Sequence, residues 1–172
     1  MKKELLILRH AKSDWNAKHT IDRDRPLNKR GRRDAQLMGD WMVQQKRMPD
    51  IVLCSLATRA TSTLEYVLAE IGADDITVDY QESLYIAELT TLLEIISKIP
   101  ESTQRLLIVG HNPGLKELVT YLSDRKIEKT GKGKIFTTAN LAVLELPDGF
   151  GQLQKHAGKL ISLIRPKELR LK

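Results

Sequence analysis

Apolar residues follow two rhythms along the chain. Unbroken runs occur at Leu5–Leu8, Ile51–Cys54 and Leu106–Val109, and a fourth spans Leu141–Leu146 with Glu145 inside it. Such runs suit strands buried on both faces. Between them the spacing turns helical. Leu37, Met38, Trp41 and Met42 share one face of a helix that Asn28 can cap and that runs to about Lys46. Ala60, Leu64, Val67, Leu68 and Ile71 do the same over residues 57–71, with Gly72 placed to end the helix. Leu89, Leu92, Leu93 and Ile96 predict a third helix over residues 86–98. Asn112 and Pro113 read as cap and first residue of a fourth, buried through Leu115, Leu118, Val119 and Leu122. Ile76–Val78 predicts a short strand, and Lys159–Ile164 a last one before a charged tail. Alternating strands and helices predict an α/β fold.

Two segments carry neither rhythm. Residues 11–27 form a connection longer than a scaffold turn needs, which marks it as shaping a site. Pro26 disfavours helix at Arg25 within it. Residues 124–134 are polar and rich in Lys and Gly, and read as an exposed loop. Gly131-Lys132-Gly133-Lys134 lacks the full phosphate-loop pattern, which argues against a nucleotide-binding loop. No repeat, low-complexity stretch or linker interrupts the chain, so one domain over residues 1–172 is expected.

Three of the apolar runs end in groups suited to anions. Leu5–Leu8 runs into Arg9-His10, Ile51–Cys54 into Ser55-Leu56-Ala57-Thr58-Arg59, and Leu106–Val109 into Gly110-His111-Asn112-Pro113. Ligands of α/β sheets bind at the carboxyl ends of the strands. An imidazole is a good nucleophile near neutral pH. Arginine neutralises phosphoryl oxygens through its fixed donor fork. A second, protonated His can stabilise charge that develops in a transition state. The N–H groups of the helix after Pro113 could help hold the same anion.

Composition changes this picture only at its edges. The chain has 172 residues, of which 41% are hydrophobic, enough to build a core and too apolar for disorder. The formal charge of +6 fits an anionic partner, such as an acidic protein or a phosphorylated substrate, and fits plain solubility equally well. Aromatics are 5% and do not interleave with basic residues, so no nucleic-acid partner is expected. One cysteine, Cys54, excludes an internal disulfide framework and a cysteine metal cluster, and its place in a strand predicts a buried, inert thiol. The first apolar run is too short for a signal peptide or a membrane span. A cytoplasmic monomer with no membrane partner, no metal and no cofactor is therefore expected. His19 and His156 lack any comparable setting and are assigned to the surface.

Taken together, Leu8-Arg9-His10-Ala11, Arg25-Pro26-Leu27-Asn28 with Arg30-Gly31, Ser55 to Arg59, Gly110-His111-Asn112-Pro113 and the closing Ile164-Arg165-Pro166-Lys167 resemble the histidine phosphatase superfamily. The likeness is to its phosphoglycerate mutase-like group, and within it to the short SixA-type phosphohistidine phosphatases. Ala11 stands where the broad signature has Gly, as is common in that short branch. The resemblance implies a three-layer α/β/α sandwich with a mostly parallel central sheet. It implies that His10 takes up the phosphoryl group, that Arg9 and Arg59 hold it, that His111 binds phosphate and supports transfer, and that water then releases orthophosphate without a metal.

The proton donor stays open. Glu82 occupies the stretch where larger relatives place a carboxylate, and Asp24 in the long first loop is a second candidate. A phosphohistidine substrate, whose leaving group is an imidazole, needs either one less. Ser55 either donates to phosphate or merely ends its strand, and Asn112 and Asp24 are further candidate contacts. Only about 20 residues separate Val78 from Lys98, so no large insertion covers the site. An open site favours a phosphorylated protein, such as a histidine phosphotransfer domain. The alternatives are a small-molecule phosphomonoester or pyrophosphate phosphatase, with Lys12, Lys18, Arg23 and Arg25 as an extra anion site, and a non-catalytic phosphoprotein-binding module.

Overall fold

A computed structural model describes residues 2–18 and 20–171, so the surface role expected of His19 lies outside the described residues. Its centre is a six-stranded sheet ordered β3-β2-β4-β1-β5-β6. The strands are β1 (Lys3–Arg9), β2 (Ile51–Ser55), β3 (Thr77–Gln81), β4 (Arg105–Gly110), β5 (Leu141–Leu146) and β6 (Lys159–Ile164). Strands β3, β2, β4 and β1 run parallel, and β5 is antiparallel to both β1 and β6. The sheet is thus mostly parallel, as expected.

The helices divide between the two faces, giving the three layers. Helices α1 (Lys29–Gln44) and α2 (Thr58–Ile71) cover one face, and α3 (Leu89–Ser97) and α4 (Gly114–Leu122) the other. The pleat of β1 explains how one strand serves both. Leu5 and Ile7 enter the core under α3 and α4, whereas Leu6 and Leu8 enter the core under α1 and α2. All four are fully buried, which is why the run is unbroken. Met38, Met42, Ala60, Leu64 and Val67 supply the helical side of the second core, on the spacing the sequence predicts.

Several boundaries differ from the expectation. Strand β3 extends to Gln81, although its sequence alternates polar and apolar groups at an exposed edge. Helix α3 starts at Leu89 rather than at residue 86, because Ile86 takes a φ of 47°, in the left-handed region closed to an α-helix. The tail forms one more short helix, α5 (Pro166–Arg170), with Pro166 at its start. Asn28 caps α1 as predicted, its side chain accepting from the Gly31 N–H. Gly31 is also required by space. A Cβ there would lie 2.1 Å from the Lys12 carbonyl oxygen, so the absence of a side chain lets α1 dock against the loop that follows β1.

Candidate active site

Sheet register brings the two imidazoles together. Arg9 pairs with Gly110 across β1 and β4, so His10 and His111, one residue further on, leave neighbouring strands side by side. Their ring centroids are 5.2 Å apart and both residues are buried. With Arg9, Arg59 and Asn112 they line a cavity of about 260 Å³. Lys12, Ser13, Trp15, Arg25, Ile86 and Thr138 complete its wall. Three strand ends therefore deliver the groups that the sequence pattern singles out.

Hydrogen bonding fixes the tautomer of His10. Its Nδ1 lies 2.8 Å from the Ala11 carbonyl oxygen, which can only accept. Nδ1 therefore carries the proton and Nε2 carries the lone pair. Burial holds the His10 pKa well below its ordinary value, with His111 and the two arginines adding to the effect and the Ala11 bond opposing it. Burial, then Arg59, pushes His111 down to about 4. Both rings are thus neutral near pH 7 in the free protein. His111 Nε2 is 2.7 Å from the Ser55 hydroxyl, and its buried Nδ1 has no hydrogen-bond partner among the described residues.

The arginines are held from behind. Arg9 donates to the Phe136 carbonyl at 3.1 Å, and Arg59 donates to the Asp22 carbonyl at 2.7 Å and to its carboxylate at 3.1 Å. Each keeps a buried Nε without a partner among the described residues. Asn112 donates to the same Phe136 carbonyl at 2.7 Å. Its Oδ1 accepts from Lys116 N–H at 3.2 Å, but the cap position of α4 falls on Pro113, one residue later than predicted.

Other expected members lie elsewhere. Glu82 forms a bidentate ion pair with Arg23, its side chain is 57% exposed, and it is not among the residues lining the cavity. Asp24 is exposed and also off the cavity wall. Ser55 is fully buried behind His111 and absent from the wall, so its hydroxyl serves the imidazole. Of the proposed extra cations, Lys12 and Arg25 line the cavity, whereas Arg23 is occupied by Glu82 and Lys18 is exposed off the wall. His156 is exposed and donates from Nδ1 to the Ser123 carbonyl, in keeping with a surface role. Burial pushes the Cys54 thiol up to about 12, in keeping with an inert side chain.

Sequence reading missed Asp22 and Tyr85. The Tyr85 hydroxyl donates to the Asp22 carboxylate at 2.5 Å, and the Tyr85 ring meets His111 edge-on at 5.5 Å. That hydrogen bond, with help from Arg59, holds the Asp22 carboxyl below its usual range. The alternation of acid and base from Asp22 to Arg25 is the signal that could have marked Asp22. Nothing in the local pattern marks Tyr85.

With this geometry in view, known proteins give a consistent match. The sequence profile of the histidine phosphatase superfamily (branch 1) fits residues 5–85. An uncharacterized protein of Mycobacterium tuberculosis is 33% identical over 165 residues, covering 93% of this chain and all of that protein. The crystal structure of a candidate phosphohistidine phosphatase SixA from Agrobacterium tumefaciens superposes with a TM-score of 0.77 at 27% identity, over 96% of this chain and 99% of the other. A tungstate complex of the protein histidine phosphatase SixA shares the fold, with a TM-score of 0.80 at 23% identity over 96% of this chain and 99% of the other. The chain belongs to the histidine phosphatase superfamily, on its SixA-like side, and is an enzyme of the kind that passes a phosphoryl group through a phosphohistidine.

Proposed function

We propose that the protein is a phosphohistidine phosphatase that acts on phosphorylated protein, with His10 as its nucleophile. In the first step His10 Nε2 bonds to phosphorus while the bond from phosphorus to the substrate nitrogen breaks, and that nitrogen takes up a proton. In the second step a water oxygen bonds to phosphorus, the bond to Nε2 breaks, and orthophosphate leaves. Arg9 and Arg59 hold the phosphoryl oxygens in both steps. A Ser55 hydroxyl that donates to His111 Nε2 leaves His111 Nδ1–H, which has no partner among the described residues, free to donate to a bound phosphoryl group. An imidazole leaving group needs little acid assistance, which suits a cavity wall without a carboxylate.

The observation that carries the protein-substrate reading is the size and rim of the cavity. A volume of about 260 Å³ suits a phosphoryl group with little beside it. Its rim bears Trp15, 69% exposed, and Ile86, 47% exposed. Ile21, also exposed, sits in the same loop as Trp15, and the exposed Leu56 in the turn between β2 and α2. Exposed apolar groups around a cationic pocket favour a macromolecular body resting on the lip. Lys12 and Arg25 on the wall favour, as a second reading, a small substrate with another anionic group. Phosphate release should be measured from a phosphohistidine-bearing phosphotransfer domain beside sugar phosphates, nucleoside diphosphates and phosphotyrosine peptide. The first reading expects the protein to be hydrolysed fastest by kcat/KM, and a clear preference for a small metabolite overturns it.

A further inference from the structure

We propose that Thr63 is a positioning residue for phosphoryl transfer, tying the carbonyl that orients His10 to the turn of α2 that carries Arg59. The inference rests on His10 being the nucleophile. Thr63 lies one turn beyond Arg59 on α2 and is fully buried. Its hydroxyl donates to the Arg59 carbonyl at 2.6 Å. That bond alone is commonplace for a helical threonine. Its other bond is not local: the same oxygen accepts from Ala11 N–H at 2.9 Å, across 52 residues of chain.

The sheet ladder explains why that bond matters. His10 N–H is the last along this edge to find a strand partner, the Gly110 carbonyl at 3.0 Å. Ala11 is the first residue beyond, buried, with no strand left to hold its N–H. Thr63 supplies the acceptor. The carbonyl of that same Ala11 accepts from His10 Nδ1. Holding Ala11 at its N–H fixes the peptide plane that joins it to His10, and so places the residue whose carbonyl, two rotatable bonds further on, meets His10 Nδ1 and selects the tautomer that leaves Nε2 free to attack. Because the anchor stands on α2, the nucleophile and the Arg59 guanidinium keep one spacing.

The test compares Thr63→Val, which keeps the shape and removes the hydroxyl, with Thr63→Ser, which keeps the hydroxyl. Thr63→Ala replaces the Val variant should that one fail to fold. Nitrogen-15 NMR of the intact proteins reads the His10 tautomer, and rapid acid quench reads the phosphoenzyme burst with a phosphohistidine-bearing protein. The Val variant should show a mixed His10 tautomer and a phosphorylation rate lower by about tenfold, with KM changed less than twofold. The Ser variant should recover both. A Val or Ala variant with the native tautomer and burst rate overturns the inference, as does a Ser variant no better than Val. If wild type gives no phosphorylated His10, the reading of His10 as nucleophile fails, whereas an unchanged tautomer in the Val variant counts against Thr63 alone.

Discussion

At the scale of single residues, burial sets the charge state of the proposed nucleophile, His10. His10 and His111 resist protonation, and Arg9 and Arg59 supply the permanent positive charge. Replacing His10 with Ala should lower turnover by about a thousandfold or more while the fold stays intact. Intact-mass analysis after acid quench should then find no added phosphoryl group. Asp22 has the opposite effect to the arginines, because its carboxylate competes with phosphate for Arg59. Asp22→Asn should tighten inorganic phosphate binding by about fivefold, the size expected of a partly exposed ion pair. Isothermal titration calorimetry checks this, and weaker binding would mean that Asp22 chiefly orients the guanidinium. His10, His111, Arg9 and Arg59 line one cavity, as their places beyond apolar runs that suit strands, together with the family resemblance, led one to expect. Asp22 and Tyr85 were not legible in the sequence, because their partners come from loops whose path no local pattern encodes. Glu82, whose position along the chain fits a proton donor, pairs instead with Arg23, a partner that no local pattern near Glu82 encodes.

At the scale of elements, the loops are set by close backbone approaches. Gly114 begins α4 where a Cβ would sit 2.0 Å from the Ala87 carbonyl oxygen. That carbonyl adjoins Ile86, so the start of α4 sets the height of the rim. Gly114→Ala should push the 86–88 segment outward and cost about 1–3 kcal/mol in stability, read by urea denaturation. Its KM for phosphoprotein should rise more than its KM for a small phosphoramide. The helix repeats and the Asn28 cap were legible because they are local. The late start of α3 was not, since its cause, the left-handed Ile86, lies in this approach between two loops.

At the scale of the whole molecule, neutral buried histidines couple stability to pH. An unfolded His binds a proton near pH 6.5, whereas His111 in the fold does so only near 4. Between those values the unfolded chain holds more protons, so stability is full above about pH 6.5 and falls as pH drops toward 4. His111 alone should cost about 2 kcal/mol between pH 7 and pH 5. His10 adds to it in the same direction. Denaturation at the two pH values should show this loss, and the difference should shrink in a His111→Asn variant. The α/β class was legible from alternating strand and helix patterns, and the three layers followed from the family resemblance. Strand order was not legible, nor the reversed direction of β5, because pairing between distant segments leaves no trace in the local pattern of any one of them.

The divided loyalty of β1 has a consequence for how this enzyme can be altered. Its odd and even positions feed opposite cores, and the next two residues along are Arg9 and His10. Inserting or deleting one residue between Leu5 and Leu8 would swap the occupants of the cores, and would also turn the His10 imidazole toward the wrong side of the sheet. Engineering of this protein therefore has more latitude for exchanges of like volume among these four apolar residues than for a change in their number.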